Sequence, residues 1–337
     1  MSTFNVRILQ LRGSSFQIGL QTGVELKNTG ILHVLNSITK QEIDYLSMKS
    51  IYTSFAPHLL EELEGLAEGL GISSRRAAAL LSGYDVPKIE AMGCSTILTS
   101  DYYVRNYDFS PDFYDGIFSC VQSDTALASA GYNLQVLGRH DGVNEKGLSM
   151  GLHFVSHKGY RKGVSPWAAI RMVLETCSSV EEAVTMLKEI PHSAGYNFSL
   201  GDCDGKMAKV EASPERVTVR SGEYFLSCVN HFQEDQMTSN NRPSIEGSIQ
   251  RNKHLLSLKG KRWSHDQMFH HFKSEESPIF FKDYEHFFGT LHTFSYSYWD
   301  SRILTAIAGG RDILDVNFQD WVNGKDILEE KLSGFIK

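Results

Sequence analysis

The sequence predicts an α+β fold in which two sheets are layered between helices. Three observations lead there. Residues 1–92 read mainly as helix, whereas β-favouring stretches dominate from residue 93 onward. The later strands come in runs broken by turn residues, with helices set between the runs. A doubly wound parallel sheet would instead alternate strand and helix one for one.

Taken in order, residues 4–11 form a short strand leading into Arg12-Gly13-Ser14-Ser15. Residues 16–27 follow as a helix carrying Gly19 and Gly23 four apart. Each glycine weakens a helix by about 1 kcal/mol, so the pair points to close packing on a neighbour. Pro57 suits the first turn of a helix over 57–69, whose apolar face is Leu59, Leu60, Leu63, Leu66 and Ala67. Ser73 and Ser74 cap another helix through Leu81, and residues 83–92 approach the strand region.

The run Gly93-Cys94-Ser95-Thr96-Ile97-Leu98-Thr99, then Ser100-Asp101, then residues 102–108, reads as a hairpin. Residues 117–123 and 132–137 are strands, 141–147 is turn chemistry, and 148–155 is an apolar strand. One helix runs from Ser165-Pro166 to Cys177. Another starts at Ser179, with the capping-box glutamate at Glu182, and ends near Ile190-Pro191. Strands resume at 196–200, 206–212, 216–220 and 224–229, with Asp204-Gly205 and Ser221-Gly222 as turns. Helices over 244–258 and 264–272 precede a hairpin of 290–298 and 303–308.

Of the 337 residues, 41% are hydrophobic and 22% charged, which suffices for a large core. A net charge of −7, with no basic run, argues against nucleic-acid binding. The N-terminus lacks a signal-peptide layout, and no apolar run approaches a membrane span. Five scattered cysteines (Cys94, Cys120, Cys177, Cys203 and Cys228) suggest no disulfide framework and fit a reducing cytoplasm.

Cys94 opens a strand directly after a glycine. Gly93 has no side chain to hinder attack on its own carbonyl by the Cys94 sulfur. Such an attack would yield a chain starting at Cys94, with a thiol and a free amine on one residue. An α-amine titrates near ~7.7–8.0 and can serve as base to the adjacent nucleophile. By itself Gly-Cys has little specificity, since most free cysteines are small core residues.

Several motifs stand in one order around that dipeptide. They are Arg12-Gly13 with Phe16, Gly19 and Gly23; residues 61–69; Gly93-Cys94-Ser95-Thr96; Arg105-Asn106-Tyr107-Asp108; Asn144-Glu145-Lys146-Gly147-Leu148; and Val229-Asn230-His231-Phe232. In this order the chain resembles the acyl-coenzyme A:6-aminopenicillanic acid acyltransferase-like family, which is similar to the choloylglycine hydrolases and penicillin V acylases among the N-terminal nucleophile hydrolases. The resemblance runs from Arg12 to at least Arg251. It implies a four-layer αββα sandwich of two mainly antiparallel sheets and self-cleavage between Gly93 and Cys94. Residues 1–93 would then be a mainly helical light fragment or propeptide, and 94–337 the catalytic domain. By position, Cys94 matches the nucleophile, with Arg105 and Asp108 beside it. Asp108 is expected to hold the Cys94 amine, and Arg105 to neutralise Asp108 and favour thiolate. Asn230 matches an oxyanion donor through its side-chain amide, the backbone N–H of His153 is assigned as the second, and Arg251 matches a distal arginine. Expected partners are a small acyl-amide or acyl-thioester substrate, the chain's own light and heavy fragments, and further copies in a homo-oligomer. No cofactor, metal, nucleic acid or membrane is expected.

Each residue has a plainer reading. Arg and Asp three apart are often a solvated pair, and asparagine often serves a turn. Asn144-Glu145-Lys146-Gly147 reads as a structural turn. His265, Asp266, His270 and His271 lack two-histidine spacing on one helical face, and Gly65 to Gly71 lacks a phosphate-loop ending. The aromatics after Cys94 are mostly core, and a few suit an apolar acyl pocket. Two competitors stand beside the self-processing enzyme. One is a non-processing cysteine hydrolase using His140 with Asp141 as base; the other is a catalytically silent acyl-ligand-binding scaffold.

Overall fold

The computed structural model describes residues 2–27, 29–86, 88, 93–286 and 288–336. The N-terminal part comprises β1 (Ser2–Gly13), α1 (Ser15–Leu26), α2 (Gly30–Ile38), α3 (Tyr45–Phe55), α4 (His58–Leu70) and α5 (Ser74–Leu81). Then come β2 (Gly93–Thr99), β3 (Tyr102–Phe109), β4 (Ile117–Ser123), β5 (Ser129–Leu134), β6 (Gly138–Arg139), β7 (Asp141–Asn144) and β8 (Ser149–Ser156). Helices α6 (Pro166–Thr176) and α7 (Val180–Glu189) precede β9 (Gly195–Gly201), β10 (Met207–Ala212), β11 (Val217–Gly222) and β12 (Phe225–Cys228). The chain ends with α8 (Glu246–Ser257), α9 (His265–Lys273), β13 (Lys282–Asp283), β14 (Phe288–Ser297), β15 (Arg302–Ile307), β16 (Leu314–Asn317), α10 (Phe318–Val322) and β17 (Lys331–Ile336).

Among the described residues the strands form two sheets. The ten-stranded sheet runs β11-β10-β9-β8-β7-β5-β4-β1-β17, with β6 on β5; the seven-stranded sheet runs β12-β2-β3-β14-β15-β16, with β13 on β14. All pairings between these strands are antiparallel except β1 with β4. Strands β2, β12 and β14 pack across onto β8, β9, β10 and β7. Helices α1, α6 and α7 lie on the ten-stranded sheet, and α8 and α9 on the seven-stranded one. This is the αββα sandwich. Its inner strands are covered on both faces, which explains why β3 and β8 are buried at every residue and lack a polar-outward alternation.

The helix signals translate directly. The side chains of Ser73, Ser165, Ser179 and Ser264 each accept a backbone N–H at the start of a helix. The glycines of α1 serve a crossing with α4. A Cβ at Gly19 would lie 2.0 Å from the Glu62 carbonyl oxygen, and one at Gly65 would lie 2.0 Å from that of Phe16. Buried charges then tie α4 to α6. Arg171 pairs with Glu62 at 2.8 Å and with Glu175, and His58 Nε2 lies 3.0 Å from Glu175.

Some expectations need correction. The strand expected at 132–137 is β5, which starts at Ser129 and stops at Leu134. Gln135 and Val136 take φ of 58° and 63°, a region that a β-branched residue seldom enters. The Asp115 carboxylate holds them there, accepting their N–H groups at 3.1 and 2.5 Å. Asp141 to Asn144 is strand β7 and not turn; the turn is confined to 145–147. Asn144 builds it, its Oδ1 accepting the N–H groups of Lys146 and Leu148, both at 3.0 Å. Ser221 and Gly222 close β11, and the elements α2, α3, β16, α10 and β17 had no sequence signal strong enough to place them. Residues 87 and 89–92 of the approach to Cys94 lie outside the described residues.

Candidate active site

Strands β2 and β3 pair as the expected hairpin, with Gly93 opposite Asp108 and Cys94 opposite Tyr107. Side chains alternate across a strand, so the two faces of β3 have different company. Tyr103, Arg105 and Tyr107 point between the sheets, where Tyr103 meets Ser199 and Tyr107 stacks on His292 and packs at a tilt against His140. Asn106 and Asp108 face the helix layer. Asn106 Nδ2 donates to the carbonyls of Phe272 and Ile279, and Asp108 lies near Arg251 of α8.

That parity overturns one expected pairing. Arg105 and Asp108 are three apart and lie on opposite faces, so Arg105 forms no ion pair with Asp108. Its Nη1 pairs instead with the Asp141 carboxylate of β7, and its Nη2 donates to the Leu152 carbonyl at 2.5 Å and to Cys94 Sγ at 3.1 Å. Asp141 in turn accepts from His292 Nε2 at 2.9 Å, and His292 Nδ1 meets the Tyr114 hydroxyl at 2.6 Å. Arg105, Asp141 and His292 are all fully buried. Burial would raise the Asp141 carboxyl, but His292 and Arg105 hold it below its ordinary value.

The histidine paired with Asp141 is therefore His292 and not His140. Both His140 ring nitrogens are buried without a hydrogen-bond partner among the described residues, and burial drives that imidazole well below its ordinary pKa.

Asn230 and Arg251 reach Cys94 from its main-chain side. The Cys94 N–H donates to Asn230 Oδ1 at 2.7 Å, while Asn230 Nδ2 donates to the Phe154 carbonyl at 3.0 Å. Arg251 donates to the Cys94 carbonyl at 2.6 Å and to Asn230 Oδ1 at 3.0 Å. Ser248 Oγ, also on α8, accepts the Asn230 N–H at 3.0 Å. The His153 ring lies across the sheet interface, its Nε2 3.0 Å from Ser199 Oγ and 3.3 Å from Thr96 Oγ1. Burial keeps that ring well below its ordinary pKa.

Asp108 accepts from Thr290 Oγ1 at 2.7 Å through Oδ1. Its Oδ2 is buried with no hydrogen-bond partner among the described residues and stands 3.9 Å from Arg251. A Cβ on Gly93 would fall 2.8 Å from that same oxygen, so the residue before Cys94 fits as glycine. Burial raises the Asp108 carboxyl against the opposing pull of Arg251, Thr290 and Arg105. It also pushes the Cys94 thiol up to about 11, although Arg105 and Arg251 pull the other way. In the continuous chain burial outweighs the two guanidinium groups, while Arg105 pulls the thiol toward thiolate, the direction expected of it.

The six expected catalytic positions, Cys94, Arg105, Asp108, His153, Asn230 and Arg251, therefore converge on one buried site. The reading of the sequence missed His292, Thr290 and Ser248, and gave Asp141 the wrong partner. A β-bulge between Thr290 and His292 lets β14 present Thr290 to Asp108 on one face and His292 to the other, which simple alternation conceals.

The family described as acyl-coenzyme A:6-aminopenicillanic acid acyl-transferase matches residues 97–312, close to two thirds of the chain. The chain belongs to this family. The match begins three residues after Cys94. No curated protein matches the chain. Solved structures similar to it include a mutant conjugated bile acid hydrolase from Clostridium perfringens, at 16% identity and TM-score 0.47, covering 67% of this chain and 94% of that one. Penicillin V acylase from Agrobacterium tumefaciens is similar at 15% identity and TM-score 0.39, covering 68% and 88%. A Caenorhabditis elegans orthologue of N-acylethanolamine-hydrolyzing acid amidase is similar at 12% identity and TM-score 0.42, covering 61% and 93%. Among the described residues no helix is long and apolar enough to cross a membrane.

Proposed function

We propose that this family member is a self-processing cysteine hydrolase or acyltransferase acting on a linear amide or thioester through a Cys94 acyl-enzyme. One observation carries the reading. The Gly93–Cys94 junction is buried, with Arg105 3.1 Å from the sulfur and Asn230 Oδ1 2.7 Å from the nitrogen. Acyl transfer needs a nucleophile, a proton acceptor and donors for the oxyanion, all held in place beforehand.

In the processing step Cys94 Sγ gives up its proton and bonds to the Gly93 carbonyl carbon. The C–N bond then breaks and the nitrogen takes a proton, leaving a thioester and a free amine. Water cleaves the thioester, which restores the thiol and leaves Gly93 as a carboxylate. The new amine keeps Asn230 Oδ1 as acceptor, and Asp108 Oδ2, beside Gly93, is its second candidate partner. Residues 1–93 remain as a bound fragment. Supporting this, β1 pairs with both β4 and β17, and Glu62 and His58 of α4 reach Arg171 and Glu175 of α6.

In turnover the Cys94 amine takes the thiol proton as sulfur attacks the substrate carbonyl, then returns it to the leaving group. Asn230 Nδ2 has a second N–H beyond the one on Phe154 and donates it to the oxyanion, together with the backbone N–H of His153. Arg105 favours the thiolate. The acyl group then passes to water or an amine. The test is incubation of processed protein with acyl-amide and acyl-thioester panels, read by the mass of the heavy fragment. A transient mass increase equal to the acyl group, absent in Cys94→Ala, supports the mechanism. Turnover that survives in Cys94→Ala would refute it.

A further inference from the structure

We infer that Asn197 is a positioning residue for the reaction and acts through Asn230. This rests on the reading of Asn230 as an oxyanion donor. Strand β12 ends at Cys228, and residues 229–234 follow as irregular backbone with no strand ladder to take up their polar groups. Asn230 is therefore held only as firmly as that segment is. Asn197 Nδ2 donates to the carbonyls of the residues on either side of it, Val229 at 2.8 Å and His231 at 2.9 Å. Between them, Ser248 Oγ accepts the Asn230 N–H at 3.0 Å. The main chain that carries the oxyanion donor is thus pinned before it, at it and after it.

Asn197 belongs to a row of side chains across the ten-stranded sheet. His153 of β8, Asn197 of β9 and Glu211 of β10 are successive cross-strand partners, and residues directly opposite share one face. All three are buried. Glu211 extends the clamp: Oε1 accepts the Gln233 N–H at 2.9 Å and Oε2 the Glu234 N–H at 3.1 Å, while Lys209 pairs with it at 2.6 Å. His153, whose backbone N–H is the other proposed donor, stands beside Asn197 in that row, so both donors share one footing. Two carbonyl partners require the Asn197 amide to present its nitrogen to them. That choice leaves Asn197 Oδ1 buried without a hydrogen-bond partner among the described residues. An unpaired buried acceptor is unfavourable, so the placement is explained by what the amide holds rather than by net stability. Oxyanion donors act only when fixed beforehand, and a shift of ~1 Å can cost on the order of 10² in rate.

The test is a double-mutant cycle on hydrolysis of p-nitrophenyl octanoate, with Cys94→Ala as the blank and rates counted per processed chain by intact mass. Asn197→Ala is expected to lower kcat about 10- to 100-fold, with KM within about twofold. In the Asn230→Ala background the same substitution should cost less than about twofold, because residues that act as one unit are not additive. An equal loss in both backgrounds would assign Asn197 a role apart from Asn230 and overturns the proposal. An unchanged kcat, or a loss confined to KM, overturns it as well. A wild type no faster than Cys94→Ala would instead refute the reading of Cys94 and Asn230 and leave Asn197 nothing to position. If Asn197→Ala does not fold, Asn197→Ser, which keeps one donor, enters the same cycle under the same outcomes.

Discussion

Arg105 is paired with Asp141 of the opposite sheet, not with Asp108 three residues along its own strand. The guanidinium that touches the Cys94 sulfur is thereby anchored across the sandwich interior, and Asp108 is left to the Gly93 side. Removing one partner of a buried ion pair leaves an uncompensated charge, at about 3–5 kcal/mol. Asp141→Ala is expected to lower the unfolding free energy by that amount in urea denaturation. An exposed-pair substitution such as Glu215→Ala, which removes the partner of Arg161, should cost under ~1 kcal/mol.

Asn230 touches Cys94 directly, accepting its N–H at 2.7 Å. Asn230→Ala is expected to slow acyl transfer by about 10²–10³ with a smaller change in KM, because an oxyanion donor acts mainly in the transition state. Steady-state kinetics on processed protein check this. A change in KM alone would assign Asn230 to substrate binding.

The crossing of α1 on α4 predicts opposite signs for two chemically identical substitutions. Gly65→Ala brings a methyl to 2.0 Å from the Phe16 carbonyl oxygen and should destabilise by about 1–3 kcal/mol, despite the better helix propensity of alanine. Gly30→Ala, at the start of α2, meets nothing within 4 Å and should be neutral or stabilising by up to ~1 kcal/mol. Thermal melts of the two variants suffice.

Acid sensitivity follows from the buried histidines. Burial holds His192 down to about 4, although the Leu187 carbonyl accepts from its Nε2 at 2.7 Å. The folded pKa is thus depressed, and the unfolded chain takes up the proton first. Stability is fully present above the ordinary value of 6.5 and is lost as pH falls toward 4, by roughly 3 kcal/mol for this group. His140, His153 and His292 are shifted the same way by burial, so the slope should exceed one proton. Urea midpoints between pH 7 and 4.5 measure it, and His192→Gln should flatten the slope by about one proton.

Much of this was legible in the chain. The Gly93-Cys94 hairpin, most helix starts and the convergence of Arg105, Asp108, Asn230 and Arg251 could be read from local pattern and motif order. What escaped depends on register and distance. Strand parity, itself a sequence property, would have separated Arg105 from Asp108. The Asp141 partnership was hidden because Asp-Gly-Val-Asn reads as a turn, and becomes a strand only when flanked by β5 and β8. His292 lies 151 residues from Asp141 and is brought to it by a bulge, which no local pattern announces.

The central claim is that the chain severs itself before Cys94. Intact-mass measurement of purified wild-type protein beside Cys94→Ala tests it most directly. A light fragment ending at Gly93 and a heavy one beginning at Cys94 are expected in the wild type, and a single whole chain in the variant. A wild-type chain that stays whole while turning over acyl substrates, or a variant cleaved at the same bond, would contradict it.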